Sequence, residues 1–131
     1  MTVYADTSAL YAVMDADDSQ HEVAKSTWVN LLDSGDGVVC NSYVLLETHA
    51  LVQHRLGIEA VRVLHDEVLP VITVDWVDET IHKEAVAAML IAGRKDLSLV
   101  DCSSFVTMRR LGLRRAFALD HHFREQGFGI L

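Results

Sequence analysis

The chain is poor in the residues that break or staple a fold: 131 residues hold one proline, Pro70, and two cysteines, Cys40 and Cys102. With so little proline and no low-complexity tract there is no linker, and residues 1–131 read as a single domain long enough to bury one core. The cysteines lack any zinc-ligand spacing and read as buried free thiols of a reducing compartment. No apolar run reaches membrane-spanning length. The start of the chain has no basic leader and carries Asp6 inside its apolar stretch, which argues against a signal peptide. A cytoplasmic protein without a membrane partner is expected. Also missing are a Gly-x-Ser-x-Gly elbow and a glycine-rich phosphate loop, so neither a serine hydrolase nor a P-loop enzyme is indicated.

What is present is acid. The net charge is −8, and it is unevenly spread. Residues 94–131 hold seven bases and four acids, for +3, while residues 1–93 hold four bases and fifteen acids, for −11. This charge argues against a broad nucleic-acid surface, but the basic tail can touch phosphates and the acidic portion can repel nucleic acid or take cations or a basic partner.

Hydrophobic period gives the organisation. Val3 to Ala5 is a short apolar strand, followed by a helix through Leu10 and Val13 for which Thr7 or Ser8 is the expected N-cap. A polar turn, residues 15–18, precedes a helix from His21 to Leu32, in which Val23, Ala24, Trp28, Leu31 and Leu32 fall at helical spacing. Val38 to Cys40 is a second strand, and Asn41 or Ser42 caps a helix from Tyr43 to Leu56. A further helix, Glu59 to Leu69, should run to Pro70. Val71 to Val74 is strand-like by its β-branched content. Helices over Asp78 to Ile91 and Ser98 to Leu111 follow, then a strand from Ala116 to Leu119. A helical turn from His121 to Gln126 and an edge strand from Phe128 to Leu131 end the chain. Strands alternating with helices predict an α/β fold with a mostly parallel sheet of four to five strands, covered on both faces.

Four carboxylates sit oddly in this pattern. Asp6 and Asp120 each follow an apolar strand and precede a helix, at the sheet edge where open α/β folds bind ligands. Asp6 can equally end its strand and favour the helix dipole. Glu47 has Tyr43, Val44, Ala50 and Leu51 at helical spacing, so its charge is partly desolvated and needs an arginine, a donor or a metal. Asp101 stands three residues after Ser98, as in a capping box, yet within an apolar run that turns it toward a covered site. Acids gathered without bases select a hard divalent cation, Mg²⁺ or Mn²⁺, which suits phosphodiester hydrolysis. The seven histidines show no paired-ligand spacing and read as helix-end or surface residues, and Trp28 and Trp76 as core or interface.

Ala5-Asp6-Thr7-Ser8-Ala9-Leu10, Leu46-Glu47-Thr48, Asp96-Leu97-Ser98-Leu99-Val100-Asp101 and Leu119-Asp120-His121-His122-Phe123 together resemble the acidic motifs of PIN-domain ribonucleases, above all the VapC-type toxins of toxin–antitoxin pairs. Each motif alone is weak, but four in order along the whole chain are specific. The resemblance implies a PIN-like three-layer α/β/α fold and a Mg²⁺- or Mn²⁺-dependent endoribonuclease. It implies metal ligation, direct or through water, by Asp6, Glu47, Asp101 and Asp120. Thr7 or Ser8 would be an auxiliary hydroxyl and Asp96 a peripheral acid. Lys95, Arg109 and Arg110 are the candidate contacts to RNA phosphates. The resemblance also implies a small antitoxin partner. An inhibitor of an acidic pocket is expected to insert Arg or Lys among the four acids. A homodimer is expected from the surplus of apolar residues.

Two other readings have less support. A non-catalytic PIN-like module that binds RNA or protein would be marked by a lost acid, and all four are present. A Mg²⁺-dependent phosphatase of the haloacid-dehalogenase kind needs an aspartate where Ser8 stands, and a phosphoacceptor domain needs paired acids and a lysine that the chain lacks.

Overall fold

A computed structural model describes residues 1–131. Its centre is β1 (Val3–Ala5), three residues that are wholly buried. Four more strands join it: β2 (Val38–Asn41), β3 (Ile72–Asp75), β4 (Arg115–Phe117) and β5 (Gly129–Ile130). Every pairing is parallel and the order across the sheet is β3-β2-β1-β4-β5. A strand buried on both faces has no reason to alternate, which is why Val3-Tyr4-Ala5 reads as one continuous apolar run.

Register shows how the helices cover the sheet. Tyr4 lies beside Val39 and Ala116, and Ala5 beside Phe117, so Tyr4 and Phe117 point to opposite faces. The Tyr4 hydroxyl donates to Ser104 Oγ at 2.8 Å on α6 (Leu99–Leu111), which therefore lies on the Tyr4 face. Trp28 of α2 (His21–Ser34) stacks on Phe117 at 6.0 Å, which puts α2 on the other face. Asn41, wholly buried at the end of β2, shares the Tyr4 face. Its side-chain N–H groups donate to Ser103 and Thr107 of α6, each at 3.1 Å, and its Oδ1 accepts from Val44 N–H at 2.9 Å. One residue thus caps α3 (Ser42–Leu56) and ties α6 to the sheet.

The elements follow the expected order with local differences. The N-cap of α1 (Thr7–Met14) is Asp6, not Thr7 or Ser8, because the Asp6 carboxylate takes the Ser8 N–H itself. The helix expected from Glu59 to Leu69 is α4 (Ile58–Val63) followed by a wider turn over Leu64–Val68 and a tighter one over Leu69–Val71 that holds Pro70. Proline has no N–H to continue a helix and fixes its own φ, so the chain narrows there and enters β3 one residue late. β4 stops at Phe117 rather than Leu119, since the Leu119 N–H turns out of the ladder to the Ser8 hydroxyl. α5 (Glu79–Ala92) and α6 end on Gly93 and Gly112, both left-handed, and α7 (His122–Glu125) is one short turn. Cys40 and Cys102 are buried and unpaired, as expected. Ala24, Trp28 and Leu31 of α2 are core, but Val23 and Leu32, expected on the same face, lie one position round the helix and are exposed, as is Trp76. No helix is long and apolar enough to cross a membrane.

The strand order carries a consequence for ligands. The chain steps outward from β1 to β2 to β3, then crosses back to place β4 on the other side of β1. In parallel sheets the crevice at such a reversal, outside the carboxyl ends of the two strands, is where ligands bind. Asp6 leaves β1 and Asp120 follows β4, so both acids stand at this crevice.

Asn41→Ala removes a helix cap and two buried donors together, and is expected to cost about 2–4 kcal/mol. Urea unfolding measures it; a loss below about 1 kcal/mol, within the range of a cap alone, would show that the bonds to Ser103 and Thr107 contribute nothing.

Candidate active site

A cleft of about 630 Å³ opens at this crevice and is lined by Asp6, Glu47, Asp101 and Asp120 together with Ser8 and His122. Each acid reaches it from a different element. Asp6 is 4% exposed at the junction of β1 and α1. Ser8 donates its N–H (3.1 Å) and its hydroxyl (2.6 Å) to Asp6 Oδ2. The same hydroxyl accepts from Leu119 N–H at 3.0 Å, and Asp6 N–H donates to Phe117 carbonyl at 3.0 Å. Ser8 therefore fixes Asp6 against the segment that carries Asp120. Burial raises the Asp6 pKa to about 6; the Ser8 bonds oppose this, and the neighbouring Asp101 and Asp120 add to it.

Asp101 satisfies both readings the sequence left open. It closes a capping box at the start of α6: Ser98 N–H donates to Asp101 Oδ2 at 3.1 Å and Asp101 N–H donates to Ser98 Oγ at 3.0 Å. One oxygen is thereby spent on the helix, and the carboxylate still lines the cleft. Burial holds its pKa above the ordinary range, Ser98 counteracts, and Asp120 pushes it further up. Asp120 Oδ1 accepts from His122 N–H at 2.8 Å, which orients it at the mouth of α7. Glu47 faces the cleft half-buried from α3. Its pKa is raised by burial, lowered by the Thr7 hydroxyl beside it and raised again by Asp101. The arginine partner that was one option for Glu47 is absent: Asp6, Glu47 and Asp101 form no ion pair, and Asp120 meets only His121 and His122, at 3.8 and 3.6 Å.

The hydroxyls divide their work. Thr7 is buried and links α1 to α3, donating to Val44 carbonyl at 3.4 Å and accepting from Thr48 at 3.1 Å. Asp96 does not line the cleft. It is exposed and held in a fork by Arg94, at 3.1 and 2.8 Å, while Arg94 also reaches Glu125 at 2.9 Å. Lys95 is exposed beside it, outside the cleft. Arg109 and Arg110 are not brought to the site either, because α6 points Asp101 and these bases to opposite ends, about 12 Å apart along the axis. The Arg109 guanidinium is occupied there by Gln126 Oε1 at 2.9 Å and by the Phe128 ring at 5.3 Å.

The sequence pattern assigns no role at the site to His122 or Arg55, and both line the cleft. His122 is not a surface residue: it is 5% exposed, packed beside the wholly buried Phe123, with Nε2 3.6 Å from Asp120 and Nδ1 3.5 Å from Glu125. Arg55 lines the far end of the cleft on α3. Its spacing of four and eight residues from Leu51 and Glu47 was the available signal for it. Donor atoms of Asp101, Asp120 and His122 lie within 4.8 Å of one another. With Asp6 alongside, this is an oxygen-rich donor set of surplus negative charge, which fits a divalent cation of the Mg²⁺ or Mn²⁺ kind.

Residues 3–129 match the family model described as "PIN domain". The chain is 30% identical over 127 residues, 96% of this chain and 95% of the relative, to the 23S rRNA-specific endonuclease VapC20 of Mycobacterium tuberculosis. The crystal structure of that protein, described as a sarcin-ricin loop cleaving toxin, superposes with a TM-score of 0.83 at 29% identity, covering 96% of this chain and 95% of that one. VapBC2 of Rickettsia felis, bound to a promoter DNA fragment, gives 0.72 at 12% identity over 100% of this chain and 98% of that one. FitAcB of Neisseria gonorrhoeae gives 0.67 at 16% identity, over 100% and 96%. These last two share the fold.

The raised Asp6 pKa fixes a sign. In the metal-free protein the folded state holds a proton on Asp6 up to about pH 6, whereas the unfolded chain releases it near 3.8. Stability should therefore fall as pH rises between these values, by on the order of 3 kcal/mol, and stay low above them. Asp6→Asn keeps the cap and removes the charge, so its Tm without metal at pH 7 is expected above wild type with a flatter pH profile. Thermal unfolding in chelator across pH 4–8 measures both; a lower Tm for Asp6→Asn at pH 7 contradicts the assignment.

Proposed function

The chain belongs to the PIN-domain family, and from that premise we propose how it works: as the endoribonuclease of a toxin–antitoxin pair, it hydrolyses RNA phosphodiester bonds with a divalent cation, Mg²⁺ or Mn²⁺, held by Asp6, Asp101 and Asp120. The observation that carries this reading is the convergence of carboxylates from the end of β1, from α3, from α6 and from the segment after β4, none of them paired with a lysine or arginine.

When bound, the cation supplies a Lewis acid for the phosphoryl oxygens and makes water more acidic. The protein's own residues do the rest. Ser8 holds Asp6 in one rotamer and couples it to the Asp120 segment. Ser98 fixes one oxygen of Asp101 and leaves the other for the site. His122 orients Asp120 through its N–H. Glu47 faces this group from α3 and would complete the ligand set, directly or through water. Thr7 sets the spacing between α1 and α3, and so the width across which substrate lies.

RNA is the substrate class, and ribosomal RNA is the first to test because the relative acts on 23S rRNA. The partner is a small antitoxin that places an arginine or lysine among Asp6, Glu47, Asp101 and Asp120, competing with the metal. Leu46, Trp76, Leu90 and Ile91, all largely exposed, supply apolar surface for that partner or for a homodimer. The site of action is the cytoplasm.

Purified protein is expected to cleave ribosomal RNA in Mn²⁺ or Mg²⁺ and to lose the activity in excess EDTA. Asp101→Asn, which preserves the capping box, should cut the rate at least about 100-fold with Tm unchanged or higher. Undiminished cleavage in EDTA, or wild-type rates from the variant, would overturn the reading.

A further inference from the structure

We infer that Arg55 is the cation that positions the substrate strand, holding a phosphate that flanks the scissile one; this rests on the ribonuclease reading above. The cleft poses an electrostatic problem. Its walls are carboxylates, residues 1–93 carry −11, and the substrate is a polyanion. A divalent cation at the acids answers this only at the reacting phosphate. Neighbouring phosphates still meet Asp18 and Glu47 unless a fixed positive charge faces them.

Arg55 is the one arginine or lysine lining the cleft. Glu47, Leu51 and Arg55 form a stripe along α3 at four-residue spacing, so the guanidinium stands two helical turns from the acid, about 12 Å along the axis. A strand whose reacting phosphate lies at the acids and whose backbone follows α3 passes over it. The side chain is also held ready. Its guanidinium sits over the Tyr11 ring, 5.2 Å from the centroid, and Tyr11 is fixed in turn by donating its hydroxyl to Asp15 at 2.6 Å.

Unlike Arg62 and Arg94, which are tied to carboxylates at 3.3 and 2.8–2.9 Å, Arg55 forms no ion pair. The Tyr11 hydroxyl and the field of Asp15 engage part of its guanidinium, and the remaining N–H groups can take a phosphate, whose oxygens arginine matches and lysine does not. The competing role is helix stability, since Arg55 lies in the last turn of α3, where a cation favours the carbonyl end.

The test uses the full chain and two variants, Arg55→Gln and Arg55→Lys. For cleavage of a ribosomal RNA fragment in Mn²⁺, Arg55→Gln is expected to raise KM about 10-fold with kcat within about 2-fold, and Arg55→Lys to fall between. For binding of a fluorescein-labelled single-stranded RNA, measured on the cleavage-deficient Asp101→Asn background, Arg55→Gln should reduce the slope of log K against log salt by about 0.7. Tm should be unchanged. An unaltered KM and salt slope, or a fall in Tm that accounts for the loss, would overturn the inference. If the wild type cleaves RNA while Arg55→Gln matches it, this inference alone fails. If the wild type neither binds nor cleaves RNA, the ribonuclease reading fails with it.

Discussion

The structure depends on tolerating buried negative charge beside β1. Asp6 ends the central strand, caps the first helix and lies within the field of Asp101 and Asp120, yet no base neutralises it. Two bonds from Ser8 and the N-terminus of α1 offset part of the desolvation, and the remainder appears as a carboxyl that keeps its proton up to about pH 6. A fold that needed only stability would place an apolar residue or an arginine pair here. Local cost at a sheet crevice, with the supporting hydrogen bonds all in place, is the pattern of a site built for a ligand of opposite charge.

The fold supports this charge in a specific way. The parallel sheet brings the ends of β1 and β4 together at the strand-order reversal, and Asn41 and Tyr4 bond α6 to the sheet so that Asp101 is aimed over that edge. Thr7 and Thr48 lock α1 to α3, which sets Glu47 across from it. Asp6, Asp101 and Asp120 are each held by a hydroxyl or an amide two or three residues away, and Glu47 by the Thr7 hydroxyl of another helix. Arg55, on the same helix as Glu47 but two turns away, gives the cleft a polarity from negative to positive along its length.

Much of this was legible in the sequence because it is encoded locally. Val3-Tyr4-Ala5 followed by Asp6, and the apolar run before Asp120, mark strand ends with acids after them, and helical spacing places Glu47 among apolar neighbours. The α/β alternation and the parallel sheet follow from the same patterns. What escaped depends on contacts distant in the chain. Asp6 caps α1 in place of Thr7 or Ser8 because its carboxylate takes the Ser8 N–H, while the Ser8 hydroxyl accepts from Leu119, 111 residues away. His122 reads as a helix-end or surface residue in sequence, and its burial shows only in the folded chain. Arg109 and Arg110 stand out by charge alone, and only the direction of α6 shows that they lie outside the cleft. Arg55 was visible as a stripe with Glu47 and Leu51, but the stripe acquires meaning only when Tyr11 and the turn at Asp18 are seen across the cleft.

The central claim is that the uncompensated carboxylates form a divalent cation site. Calorimetric titration of Mn²⁺ into the metal-free chain at pH 6, run in two buffers of different ionisation enthalpy, tests it directly. Because Asp6 is partly protonated there, the account predicts saturable binding coupled to net proton release, with both binding and release diminished in Asp6→Asn. Absence of saturable binding at millimolar Mn²⁺, or binding that is identical in wild type and Asp6→Asn with no proton released, would contradict it.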